Sequence, residues 1–176
     1  DREYVYVNVF SLKKNLARTI ELLEEKLFHP KFDEEEFNTA KAQEIAAIDN
    51  NATRAATIAD NVYSKLLYGD HIFGIPVIGT KASLEGITLQ DVKDFYAAQI
   101  IPAKAKLVAV GQINSKELNT AVPFLLNWKA SASPVEIKQP ATPAIAATTI
   151  YFVNKDKAPQ SEIRIGYMAL PFDADG

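Results

Sequence analysis

The stretch DEEEFNTAKAQEIAAIDNNATRAATIADNVYSKLLY, running from Asp33 to Tyr68, contains neither Gly nor Pro, and its reading decides the fold. At about 100° per residue, Phe37, Ala40, Ile48, Ala52, Ala55, Ala59, Val62 and Leu66 share one side. Glu35, Thr39, Gln43, Asn50, Thr53, Thr57, Asn61 and Ser64 take the other. The spacing predicts one long continuous helix. Glu44 breaks the pattern, because it falls between Phe37, Ala40 and Ile48 on the apolar stripe. An unpaired carboxylate buried there would cost roughly several kcal/mol, so this reading requires Glu44 to be neutral, ion-paired or metal-bound.

The start of this helix is well marked. Asp33 and Glu36 have capping-box spacing, with Asp standing in for Ser or Thr, and Phe32 is placed to staple onto Phe37. Upstream, Tyr4-Val5-Tyr6-Val7-Asn8-Val9-Phe10 is β-branched and aromatic and reads as a strand. Ser11 then reads as an N-cap, and Leu12, Leu16, Ile20, Leu23 and Leu27 recur at helical spacing until His29-Pro30 stops them. The short link between the two helices predicts antiparallel packing.

Downstream, Asp70 to Gly79 is a turn punctuated by Gly74, Pro76 and Gly79. Thr88 caps a further helix with Val92, Phe95 and Tyr96 expected inward. Pro102 introduces an expected strand from Ala105 to Gly111. Ser115 opens a helix ending near Trp128, with Pro123 positioned to kink or split it; Trp128 reads as core or edge packing. Between Lys129 and Ala147, Ser131, Ser133, Pro134, Pro140 and Pro143 among alanines read as an extended linker. Thr148–Val153 and Glu162–Leu170 alternate around the loop from Asn154 to Gln160 and read as a hairpin. The expected organisation is therefore a domain over 1–128, a linker over 129–147, and the opening of a further domain over 148–176. The fold class is α+β, with helices layered on one face of a mainly antiparallel sheet.

Composition narrows the function. The chain has 176 residues, 48 % hydrophobic and 23 % charged, with a formal net charge of -3. Lys and Arg are scattered with no basic run, which argues against nucleic acid as a partner. No apolar run approaches the roughly 20 residues of a membrane span. The absence of Cys removes disulfides, thiolate metal sites and a Cys nucleophile. The chain opens on Asp1-Arg2-Glu3 without Met, as a piece of a larger protein would. No phosphate-binding Gly-rich loop and no Ser-His-Asp arrangement occurs; Gly79-Thr80-Lys81 lacks the rest of a P-loop.

The order of these segments resembles the pitrilysin/insulinase family of zinc metallopeptidases. Tyr6-Val7-Asn8 with its Leu-rich helix looks like the entry to the middle of a family domain. Leu27-Phe28-His29-Pro30-Lys31-Phe32 is similar to the family's break before the long helix. The segment from Gly69 to Thr80 resembles its Gly-rich turn, where His-Pro-Tyr-Gly is more usual. Ile87 to Tyr96 looks like the helix that follows. Pro102 through Val108-Ala109-Val110-Gly111 resembles the family's Pro-strand-Gly segment, and Ala158-Pro159-Gln160-Ser161 the start of its next domain.

That resemblance implies a zinc peptidase. In the family, a His-x-x-Glu-His helix supplies two zinc ligands and the general base, and a Glu on a later long helix supplies the third ligand. Glu44 falls at that third position. This chain holds only His29 and His71, and neither lies in such a motif. The chain alone is therefore expected to bind no zinc and to be inactive, since a catalytic zinc takes about three protein ligands. Family domains come in pairs, one of which usually lacks the motif. Glu44 is thus either a ligand in the parent protein or a retained carboxylate satisfied by Lys41, water or a backbone group.

His71 reads as a turn residue and His29 as a helix C-terminal residue suited to the dipole. Arg164 and Tyr167 resemble a substrate-holding Arg and Tyr of the family. Strand periodicity would place them on opposite faces, which argues against that pair as a site. The implied parent hydrolyses peptides or unfolded segments in a closed chamber, with zinc as cofactor where its active domain is intact. This chain is expected to supply chamber wall and substrate-binding scaffold beside other family domains. The alternative is an inactive assembly subunit. Exposed hairpin edges would also offer a route to a homo-oligomer.

Overall fold

The computed structural model describes residues 4–129, 138, 140–144 and 146–169, and among them every regular element is helical. The α-helices are α1 (Leu16–Phe28), α2 (Glu34–Asn51), α3 (Ala55–Tyr68), α4 (Lys81–Gly86), α5 (Leu89–Gln99), α6 (Ser115–Ala121) and α7 (Pro123–Leu126). Short 3-10 turns occupy Lys13–Asn15, Ile72–Gly74 and Pro102–Lys104.

The expected α+β architecture is therefore corrected to an all-helical one. Tyr4–Phe10, Ala105–Gly111, Thr148–Val153 and the described part of Glu162–Leu170 have strand-like alternation but form no strand. Alternation marks a segment that can be half of a ladder; the strand exists only when a neighbour supplies the other half. No such ladder forms among the described residues, and large side chains stand in solvent instead. Phe10 is 92 % exposed, Val110 94 %, Ile150 91 % and Ile165 93 %. Among the described residues the hairpin is absent too, and with it the edges proposed to join copies of the chain. About half of the linker expected over 129–147 falls outside the described residues.

The single long helix is also corrected. It is two helices, with a break at Ala52-Thr53-Arg54. The Thr53 N–H bonds Asn50 O at 3.0 Å and the Arg54 N–H bonds Asn51 O at 3.1 Å, so the ladder tightens from four-residue to three-residue spacing. The Thr53 hydroxyl also donates to Asn50 O at 2.7 Å. Asn and Thr compete for backbone groups in this way, which is why a run of them weakens a helix even without Gly or Pro.

Other boundaries follow local chemistry. Asp33 Oδ1 accepts the Glu36 N–H at 3.0 Å, and helix α2 starts immediately afterwards. Thr88 and Asp91 form a reciprocal capping box on α5, as do Asn114 and Glu117 on α6. The α6 cap is thus one residue earlier than Ser115. Pro123 separates α6 from α7, as its missing N–H dictates. Helix α1 begins later than the Ser11 cap predicted; the Ser11 hydroxyl instead bonds Leu12 O and Thr19 Oγ1.

The chain divides into two compact units, each with its own packing. One gathers Val5–Asn38 with the described residues of Ile87–Ile137. Its deepest side chains are Ile101 and Val122, each 2 % exposed. Phe28 makes edge-to-face contacts with Phe124 (5.7 Å, 84°) and Trp128 (5.4 Å, 78°), which bears out Trp128 as packing. Tyr96 donates its hydroxyl to Leu27 O and receives the Phe32 ring edge-on at 5.4 Å. Burial pushes the Tyr96 phenol pKa up, keeping it protonated as that donor role requires. Val92 and Phe95, expected inward, are 36 % and 55 % exposed.

The second unit gathers Tyr4 and Thr39–Gly86 with the described residues of 138–176. Helix α3 packs on the 3-10 turn Ile72–Gly74, with Leu67 buried. Lys41 Nζ donates to Glu85 O at 2.8 Å and Lys81 pairs with Asp49 at 3.1 Å, so both lysines tie α4 to α2.

Candidate functional site

Glu44 sits in the middle of α2, seven residues before its last residue, Asn51, and its side chain is exposed. This corrects the expectation that it faces inward. The half-buried positions of α2 are Phe37, Lys41, Ile45, Ala47, Ile48 and Asn51. The buried stripe thus leans toward Lys41 and Ile45, and Ala40 and Glu44 turn outward. The aliphatic stem of Lys41 does the covering that an apolar residue would do elsewhere. No desolvation argument applies to Glu44, because water reaches it.

The residues at hand do not make a zinc centre. Among the described residues there is no group of three or more His, Asp or Glu side chains able to hold a metal ion. Neither His assists Glu44. His29 is the exposed C-terminal cap of α1, its backbone N–H bonded to Glu25 O at 2.9 Å. His71 caps the turn Ile72–Gly74: its Nδ1 accepts the Phe73 N–H at 3.3 Å, and its ring lies 5.1 Å from that of Phe73. His71 is a hydrogen-bonded turn residue, as its place in the sequence predicts.

Arg164 and Tyr167 do not converge. Arg164 Nε reaches Asp60 on α3 at 2.5 Å and Nη1 reaches Glu162 at 3.2 Å, whereas Tyr167 is 81 % exposed. The Arg164 hydrogen bond holds the Asp60 carboxyl below the usual carboxylate range, against a smaller opposing effect of burial. A depressed folded-state pKa means the pairing contributes above the unfolded carboxylate value and is lost as pH falls through the folded one. The Arg164 Nε–H resonance, followed by NMR, should therefore move toward its free-side-chain position on acidification below the ordinary carboxylate range. In Asp60→Asn most of that acid-side movement should be absent.

A cleft of about 540 Å³ opens in the first unit. It lies at the C-terminal ends of α1 and α5 and beside α7. Glu24, Leu27, Phe28 and His29 line it from α1; Tyr96, Ala97 and Ile100 from α5; and Phe124, Asn127, Trp128 and Lys129 from the α7 region. Sequence reasoning took Trp128 as packing and left the cleft unnoticed. Its signal was a shared feature: each of the three helical segments places an aromatic residue at or near its C-terminal end.

Two comparisons bear on identity. A sequence model described as "Peptidase M16 inactive domain" matches residues 86–175, over half of the chain. A relative from Bacillus subtilis (strain 168), named "Uncharacterized zinc protease YmxG", is 20 % identical over 169 residues. The match covers 96 % of this chain and 40 % of that relative, so the chain spans well under half of the relative's length. The segment from Ile87 to Gly111, read above as family-like in sequence, lies inside the matched region. The chain belongs to the M16 peptidases, the pitrilysin/insulinase family.

Proposed function

We propose that this chain is a non-catalytic part of a zinc-dependent peptidase that cleaves peptides or unfolded segments within a closed chamber. In this reading it supplies wall and substrate-binding scaffold, with residues 1–128 the second half of one family domain. Residues 129–147 form a linker, and 148–176 begin the next domain. The observation that carries the reading is the match of residues 86–175 to the inactive-domain model of a peptidase family.

In this reading the chain's share in the parent's metal centre is the Glu44 carboxylate. Glu44 is exposed on a regular helix, so it is accessible to ligands borne by another part of the parent. The test is zinc analysis of the full-length parent together with chelator-sensitive cleavage of an unstructured peptide. If Glu44 is a ligand, Glu44→Gln should weaken zinc retention at least about tenfold, since even losing an outer-shell partner of a metal ligand costs that much. Unchanged zinc content in that variant would remove Glu44 from the site. A parent with neither zinc nor cleavage would leave the alternative, an inactive assembly subunit, which the inactive-domain match also favours.

A further inference from the structure

We infer that the cleft between α1, α5 and α7 is a binding subsite for a basic side chain, Arg or Lys, of an extended peptide. The inference rests on the peptide-handling reading above and gives it a substrate preference. The volume of about 540 Å³ lies within the range of ligand sites and is ample for a single long side chain. Phe28, Tyr96, Phe124 and Trp128 line it, and aromatic faces attract a guanidinium or ammonium group.

The electrostatics favour the same ligand. The cleft sits at the C-terminal ends of α1, with 13 residues, and α5, with 11, where aligned peptide dipoles leave negative potential. Glu24, one turn before Phe28 on α1, adds a full negative charge to the lining. Beside the His29 imidazole at the end of α1, the opposing cation is Lys129, on the exposed chain just beyond Trp128. Its presence gives the inference a second, opposite sign to test: neutralising Glu24 should weaken binding, and neutralising Lys129 should not.

The experiment uses the full-length parent treated with a chelator, so that binding is read without cleavage. Fluorescence anisotropy compares two labelled peptides identical except for one central Arg or norleucine. The Arg peptide should bind about threefold to tenfold more tightly. Glu24→Gln should abolish that preference, Trp128→Leu should reduce it by removing the ring face, and Lys129→Gln should keep or enlarge it. Equal binding of the two peptides, or a preference unmoved by Glu24→Gln, would overturn the inference; because Glu24 is exposed, that variant does not depend on repacking. Arg-selective binding by a parent that cleaves nothing before chelation would uphold the cleft and defeat the peptidase reading. Cleavage with charge-blind binding would do the reverse.

Discussion

Replacing Gly74 with Ala should lower the unfolding free energy by about 3 kcal/mol. Gly74 is buried in the turn that closes α3, and its N–H bonds His71 O at 2.8 Å. A Cβ there would overlap the carbonyl oxygen of Gly69, a backbone atom with no rotamer through which to withdraw. Gly69 itself is held at φ 57° as the C-terminal cap of α3, so moving it would disturb the end of that helix. The turn and the helix would have to separate, uncovering Leu67. Gly86, with open space where its Cβ would stand, is the control: Gly86→Ala should change stability by less than about 0.5 kcal/mol. Urea titrations followed by far-ultraviolet circular dichroism distinguish the two. Coincident midpoints for Gly74→Ala and the wild type would show that the turn relaxes freely.

Ile101→Ala should cost a similar amount, about 3 kcal/mol, by a different route. At 2 % exposure Ile101 is the most completely buried large side chain among the described residues. It precedes Pro102, which confines its backbone to the extended region it occupies (φ -130°, ψ 149°). The backbone there cannot easily shift to fill the void left by the lost carbons, so the cavity penalty adds to the transfer cost. Ile101→Val should cost about 1 kcal/mol, and Val110→Ala, at a 94 % exposed site, close to nothing. A flat response across this series would mean that Ile101 is not part of a packed core.

Local signals in the sequence held at four positions where one residue acts on its immediate neighbours, though the cap read at Ser11 lies elsewhere. Thr88 caps its helix, Asp33 caps α2, Pro123 divides α6 from α7, and His71 bonds within its turn. Each needs only a side chain and a backbone group a few residues away. Helix faces were less legible. In α2 the half-buried positions run Phe37, Lys41, Ile45, Ala47, Ile48 and Asn51, and in α5 they run Leu89, Lys93, Tyr96, Ala98 and Gln99. Both stripes pass through a lysine, which hydrophobicity alone assigns to solvent. Reading past Lys41 rotated the face and drew Glu44 inward; reading past Lys93 drew in Val92 and Phe95. The stem of a lysine buries while its ammonium escapes, so the residue type does not fix the face.

Strand segments were the least legible, because alternation states a capacity and pairing depends on a partner that periodicity cannot supply. The candidate site was only partly readable for a related reason. Glu44 was reached through a family pattern as well as through an apolar stripe that the structure rotates away from it. The cleft was not reached at all, since its residues are far apart along the chain. Glu24 and Trp128 line one cleft because Phe28 at the end of α1 packs against both Phe124 and Trp128.

The interruption at Ala52-Thr53-Arg54 makes α2 and α3 separate cooperative blocks. A rod with one unbroken ladder melts from its ends, and its centre is the last part to open. Here the centre of the Asp33–Tyr68 stretch is itself a pair of ends. Fraying can start in the middle, and α3, clamped to its closing turn, can outlast α2 when α2 loosens.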